Sequence, residues 1–243
     1  MGQLVLHQGA QEVTFDQLQE LRTPSPTATW TPVPHATLVK LARRYLGEQG
    51  FFITNQKLSS YRHGDRFFGL MELASMNSER DYCLMVGIRN SHDRSFPAGL
   101  VVGTRVFVCD NLAFNGEVKL YRKHTRFIER DLPGLMCEAV GRVGHLRVRQ
   151  DARVQCYKKA SLTDTTVHDL VIRACDARVI PNQRIPDVLA QWRTPAHEDF
   201  KQPTVWSLCN AFTEVLKAGS HLALPDRTTK LYGLLDQVGG VYT

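Results

Sequence analysis

The stretch from Phe51 to Tyr121 constrains the fold most. It breaks into five short β-type runs: FFITN, RFFGLMEL, DYCLMVGIRN, GLVVGTRVFVCDN and EVKLYRK. Between them stand polar or Gly-containing segments: SSYRHGD, SMNSER, NSHDRSFPAG and AFNGE. Connections this short leave no room for crossover helices, so consecutive strands pair as an antiparallel meander. Helical periodicity flanks the meander on both sides. Over His35 to Gly50, Leu38, Leu41, Ala42, Tyr45 and Leu46 share one face and Lys40, Arg43 and Arg44 the other, with Gly50 as the stop. A short helix is expected at Asp16 to Leu21, followed by the aperiodic, Pro-rich TPSPTATWTPVP of residues 23–34. After the meander, residues 131–160 read as one long helix carrying Leu135, Met136, Ala139, Val140, Val143 and Leu146 at helical spacing, with Gly134, Gly141 and Gly144 weakening it. Further helices are expected at Thr165 to Ala177, Ile185 to Trp192, Thr204 to Ala218 and Asp226 to Val238.

These patterns predict an α+β fold: a single antiparallel sheet of about five strands covered by helices, with a helical C-terminal half. Residues 1–34 form an N-terminal arm and Pro-rich connector, and residues 35–243 a single α+β domain. No apolar run approaches the roughly 18 residues that span a bilayer, and MGQLVLHQGAQE lacks the basic and apolar regions of a secretion signal. A cytoplasmic protein without a membrane partner is therefore expected. Cys83, Cys109, Cys137, Cys156, Cys175 and Cys209 are widely spaced and contain no CxxC pair, which favours reduced, mostly buried thiols over a disulfide or zinc framework.

The net charge of +6 is concentrated. Between Lys119 and Lys159 eleven Lys and Arg face four Asp and Glu, which leaves the remainder of the chain close to neutral. Clustered cations suit a polyanion or an acidic partner, because a cluster gains affinity from counterion release that scattered charges do not; a solvated helix face is the plainer alternative. In EVKLYRKHTRF, strand alternation puts Lys119, Tyr121 and Lys123 on one face and Arg122 and His124 on the other. A ring among cations is the combination that stacks bases and holds phosphates of single strands. In the helix that follows, Arg142, Arg149 and Arg153 would align in one stripe, extended by Arg147, Lys158 and Lys159. The candidate nucleic-acid contacts are Lys119, Tyr121, Arg122, Lys123, Arg126, Arg149 and Arg153. No helix-turn-helix, zinc finger, P-loop or G-x-G-x-x-G accompanies them, so duplex readout and nucleotide-driven motor functions have no support.

The loop Asn90-Ser91-His92-Asp93 contains the residue types of a catalytic triad in the wrong geometry. Neighbours in extended chain point to opposite faces, so His92 is poorly placed to take a proton from Ser91 while Asp93 orients it. An alternative is a site for Mg²⁺, Mn²⁺ or zinc assembled from His63, Asp65, His92, Asp93 and Asp110, with Asp93 and Asp110 in catalytic roles on a phosphodiester. The other reading is structural: Asn, Ser and Asp fix turns by bonding nearby backbone, and His92 would hold the loop against the strand end at Cys109, Asp110 and Asn111.

Four segments occur in order: NSHD (90–93), TRVFVCDNL (104–112), RKHT (122–125) and TVWSLCNAFTE (204–214). With them the chain resembles the prophage and plasmid family filed as a bacterial domain of unknown function, often called phage/plasmid-like proteins. The resemblance covers roughly residues 50–220 and marks Asn90, Ser91, His92, Asp93, Arg105, Cys109, Asn111, His124, Thr125, Trp206, Asn210 and Glu214 as positions that matter. It implies a mobile-element setting and no defined activity. One departure is Arg94, which stands where the family motif usually continues with Gly. In the last segment Trp206, Asn210 and Thr213 fall on one helix stripe, where Asn210 could bond a loop carbonyl or a ligand, the loop being favoured.

The leading expectation is a non-catalytic nucleic-acid-binding protein of a phage, prophage or plasmid. It would need no cofactor, bind single strands in annealing, protection or counter-defence, and form a homo-oligomer. The alternatives are a nuclease dependent on Mg²⁺ or Mn²⁺ and an inhibitor that binds a host defence protein.

Overall fold

The computed structural model describes residues 10–74, 82–106, 112–218 and 223–241. Its architecture is the expected α+β one, a single antiparallel sheet with helices before and after it and a helical C-terminal half. The strands are β1 (Gln11–Glu12), β2 (Ile53–Tyr61), β3 (Arg66–Leu73), β4 (Tyr82–Ser91), β5 (Ala98–Val106) and β6 (Leu112–Arg122), and neighbours in sequence are neighbours in the sheet. Each of the five expected runs contributes to one of β2 to β6, but β2 and β6 also take in residues 59–61 and 113–116, which were expected as breaks. The sixth strand, β1, pairs Gln11 with Ser60 and Glu12 with Ser59 and is too short for any alternation to announce it.

The helices are α1 (Phe15–Glu20), α2 (His35–Glu48), α3 (Ile128–Gly141), α4 (Val143–Lys159), α5 (Asp164–Asp176), α6 (Ile185–Arg193), α7 (Val205–Leu216) and α8 (Leu224–Gly239). The single helix expected over residues 131–160 is thus two. Gly141 and Gly144 flank the break, where helix propensity is lowest, and the Arg142 N–H caps α3 by donating to the carbonyls of Ala139 and Val140. Arg142 lies at the break, outside α4, which carries Arg149 and Arg153.

The chain forms two compact units. One contains Met1–Gly103 and Glu117–Gly144, the other Thr104–Gly116 and His145–Thr243. In the first, α2 packs against β4, α1 and α3. It buries Leu38, Val39, Ala42 and Leu46 completely, a face turned slightly from the expected one, since Leu41 and Tyr45 are only part-buried. The register of the sheet decides what each of its faces carries. Phe67 lies opposite both Ser60 and Asn90, and its ring stacks on His35 of α2 at 5.4 Å. One residue along, Phe68 lies opposite Ser59 and Arg89, so these side chains belong to the other face.

In the second unit, α7 is buried at every position except Glu214, as a helix apolar on all sides must be. Helix α7 packs on α6 and α8, and α5 on α6 and α8. A charged clamp joins α4 to α8: Arg153 donates through Nε and Nη2 to the two carboxylate oxygens of Asp236 at 2.8 and 3.0 Å, and through Nη1 to Gln150 at 2.9 Å. The Tyr157 hydroxyl donates to Asp236 at 2.7 Å, and the Arg153 guanidinium lies over the Tyr232 ring at 4.7 Å. Glycine is required at position 239, where a Cβ would come within 2.7 Å of the Tyr157 ring.

Removing one partner of a buried ion pair strands the other charge. Asp236→Ala is therefore expected to cost about 3–5 kcal/mol of unfolding free energy, and the double substitution Arg153→Met/Asp236→Leu to recover most of that loss in urea titrations. A single variant as stable as the double one contradicts the clamp.

Candidate functional site

The first unit contains two chemically different sites, one on each face of the sheet. On the α2 face, Asn90 of β4 is fully buried and makes three hydrogen bonds. Its Nδ2 donates to the Val33 carbonyl at 2.7 Å and to His35 Nδ1 at 2.9 Å, and its Oδ1 accepts from His124 Nε2 at 2.7 Å. The Val33 carbonyl accepts a second bond, from His92 Nε2 at 2.9 Å, and the Gly64 carbonyl accepts one from His35 Nε2 at 2.9 Å. Carbonyls only accept, so these contacts fix the tautomers: His35 and His92 carry their protons on Nε2. The rings of His35 and His92 stack at 3.9 Å with planes 9° apart, an arrangement that two cations would disrupt. His92 Nδ1 and Trp30 Nε1 are left buried without a partner.

All three histidines are held neutral. Burial, reinforced by the neighbouring His92, pushes His35 down to about 3 and His124 down to about 4. Burial also lowers His92, against the opposing effect of its bond to Val33.

The rest of the loop is closed on itself. Ser91 Oγ donates to the Phe96 carbonyl at 2.7 Å and accepts from its N–H at 3.1 Å. Asp93 pairs with Arg66 at 2.6 Å and accepts from Ser95. Arg94 adopts φ +63°, the left-handed conformation that glycine takes without strain, and its guanidinium lies over the Trp30 ring at 4.6 Å. The Arg94–Trp30 contact thus accompanies a backbone conformation that strains any residue with a Cβ. The loop is clamped to Val33 and Asp65, whose carbonyl accepts the His92 N–H at 2.7 Å. The expected strand-end clamp at Cys109, Asp110 and Asn111 lies outside the described residues.

On the opposite face, rings and guanidiniums alternate. Arg66 lies over Tyr61 at 5.8 Å and Phe96 at 5.9 Å, and Arg89 over Phe96 at 5.4 Å and Tyr121 at 4.7 Å. The series Tyr61, Arg66, Phe96, Arg89, Tyr121 crosses the sheet from β2 to β6. Tyr121 leans across Gly99 of β5, where a Cβ would come within 2.8 Å of its ring, and still exposes 43% of its surface. Just past β6, Phe127 is 42% exposed and lies under Arg126 at 4.5 Å and Arg130 at 4.6 Å.

The expected nucleic-acid residues fall into three groups. Lys119, Tyr121, Arg122, Lys123 and Arg126 all lie in the first unit, on β6 and the turn after it, with Lys123 and Arg126 exposed. Arg122 is engaged by Asp131 at 2.8 Å and by the Thr125 hydroxyl at 3.0 Å. Arg149 is exposed on α4 in the second unit. Arg153 is the correction: only 5% exposed and bound to Asp236, it presents no cation to a polymer. Sequence reasoning missed Tyr61, Arg66, Arg89 and Phe96. The available signal was a lone arginine in the otherwise apolar run DYCLMVGIRN, but only the register aligns it with the rings.

Among the described residues no three of His, Cys, Asp and Glu gather to hold a metal ion. Of the proposed set, His92 turns its Nε2 to Val33 and Asp93 turns to Arg66, so His63, Asp65, His92 and Asp93 do not converge; Asp110 lies outside the described residues. Of the remaining motif positions, Arg105 is on β5, Thr125 supports Arg122, and Cys109 and Asn111 are not described. Trp206 and Asn210 are buried in α7, and Asn210 Nδ2 donates to the Trp206 carbonyl at 2.9 Å within the helix. Glu214 pairs with Lys217 at 2.6 Å. A small recess between Gln191, His197, Ser207 and Glu214 has its serine already bonded to Gln202. The cysteines depart from the expectation of mostly buried thiols: all five described are free, but only Cys83 and Cys209 are buried.

A family described as a domain of unknown function (DUF932) matches residues 24–233. No curated protein and no solved structure matches the chain.

The neutral histidines make stability depend on pH. Each is depressed in the folded chain, so below the unfolded value near 6.5 the unfolded state takes up protons that the folded state refuses. Stability is then full at neutral pH and falls as the pH drops toward 4. Between pH 7.5 and 5, where carboxylates stay ionised, His35 alone accounts for about 2 kcal/mol. A urea midpoint unchanged over that interval contradicts the network.

Proposed function

We propose that this chain, which belongs to the DUF932 family, is a nucleic-acid-binding protein that holds single strands across the ring-and-guanidinium face of its sheet. The observation that carries the reading is the alternating series Tyr61, Arg66, Phe96, Arg89, Tyr121, which ends at exposed Tyr121 beside exposed Lys123 and Arg126. Each component has a known use. Exposed ring surface stacks bases of any identity, cations beside it take phosphates, and both work best on a single strand whose bases are not already paired. A sheet supports this well because its rows of side chains stand at fixed spacing and need no rearrangement on binding.

The setting we propose is a phage, prophage or plasmid, on the strength of the ordered NSHD, TRVFVCDNL, RKHT and TVWSLCNAFTE segments. There the protein would act without a catalytic step in annealing, protection or counter-defence, as a homo-oligomer on longer strands. Lys119, Tyr121, Lys123 and Arg126 are retained from the sequence as contacts, Tyr61 and Phe96 are added, and Arg122 serves mainly to fix the turn through Asp131.

Fluorescence anisotropy with labelled single-stranded DNA and RNA, against duplexes of the same length, tests the proposal. Binding should be in the micromolar range or tighter at low salt and weaken steeply as salt rises. Tyr121→Ala should weaken it by about 1–3 kcal/mol, the worth of one stacked base. Equal affinity for duplex and single strand, or none for either, contradicts it.

A further inference from the structure

We infer that Arg89 is the residue that receives the phosphodiester group of the bound strand, through a guanidinium whose orientation is set by the rings of Phe96 and Tyr121. This deepens the reading above and rests on it. The two arginines within the series, Arg66 and Arg89, differ in one respect. Arg66 is neutralised by Asp93 at 2.6 Å. The Arg89 side chain makes no hydrogen bond or ion pair with any described residue, and its Nε is buried with no acceptor. With Nε sealed off and no carboxylate beside it, the charge of Arg89 is left to be met through the outer guanidinium nitrogens, since a part-buried guanidinium without a counter-ion is costly.

The surroundings select the class of ligand. Phe96 and Tyr121 hold the guanidinium at 5.4 and 4.7 Å, and the Ser91–Phe96 bonds keep the loop that bears Phe96 in place. With both rings against it, what Arg89 offers is its row of N–H donors. A planar fork of donors matches two oxygens of one phosphate group, a match that an ammonium cannot reproduce. Arg89 is also the central cation of the series, between Arg66 and the cations of β6, so a strand laid along the rings brings its backbone past it.

Two substitutions separate orientation from charge. Arg89→Lys preserves the charge and loses the fork; Phe96→Leu leaves every charge in place and removes one of the two rings. Both are compared with Arg44→Lys on α2, with urea unfolding confirming the fold. The probes are a labelled single-stranded 20-mer and inorganic polyphosphate, which carries phosphate and no base.

Each of the two test variants is expected to bind both the 20-mer and polyphosphate, which has no base to stack on Phe96, roughly ten- to hundredfold more weakly, the range for lost charge-assisted hydrogen bonds, while Arg44→Lys stays at wild type. If the 20-mer binds and both variants hold it like wild type, the role of Arg89 is overturned and the single-strand reading stands. If the wild type ignores the 20-mer but takes polyphosphate in a manner sensitive to both substitutions, the phosphate site stands and the nucleic-acid reading falls. Binding of neither probe overturns both. An unstable Arg89→Lys leaves the decision to Phe96→Leu, which changes a part-exposed loop side chain.

Discussion

The bond set of one buried amide, Asn90, organises the first unit. Its three hydrogen bonds reach the Pro-rich connector at Val33, the start of α2 at His35 and the segment after β6 at His124. Those partners lie 34 to 57 residues away in sequence, so a single side chain ties the segments before and after the meander to its central strand. The set works because every member has one role. Two carbonyls only accept, which assigns the imidazole protons, and neutral imidazoles can stack at 3.9 Å. The amide oxygen then takes the remaining N–H. A buried network of this kind specifies one arrangement because each alternative strands polar atoms beyond the His92 Nδ1 and Trp30 Nε1 already left without a partner.

The two faces of β4 divide the labour at adjacent residues. Asn90 points to the α2 side and holds the fold; Arg89 lies on the other side among rings. Strand alternation enforces the separation, and the antiparallel register supplies Phe68 and Ser59 as the row beside Arg89. The NSHD loop serves both. Asn90 and His92 anchor it inward, while Ser91 and Asp93 fix Phe96 and Arg66 in the outer series. The loop thus joins a buried neutral cluster to the ring-and-guanidinium face, and these bonds account for its dense polar composition.

Much of the fold was legible in the residues because it rests on local pattern. Period-two runs with short polar breaks give a meander, and the 3.6-residue spacing gave α1, α2 and α5 to α8 to within a few residues at each end. What stayed hidden depended on distant partners. The division of α3 from α4 was hinted at by Gly141 and Gly144 but outweighed by the apolar spacing around them. Arg153 looked like its exposed neighbours until Asp236, 83 residues on, was placed against it. In the candidate site, β6 with Tyr121, Lys123 and Arg126 was readable because alternation in one strand exposes it. Arg89, Arg66, Phe96 and Tyr61 were not, since the series they form comes from three strands and a loop.

Among the described residues of the first unit, the non-glycine ones with left-handed backbone, Arg62, His63 and Arg94, fall in the β2–β3 and β4–β5 connections, joined by the His92 to Asp65 bond. Each costs roughly 1–2 kcal/mol relative to a relaxed backbone. That cost lowers the free energy needed to unfasten these turns below that for melting the strands between them. Amide exchange with solvent would therefore begin at the connections and spread inward, leaving the centre of β3 and β4 the slowest to breathe.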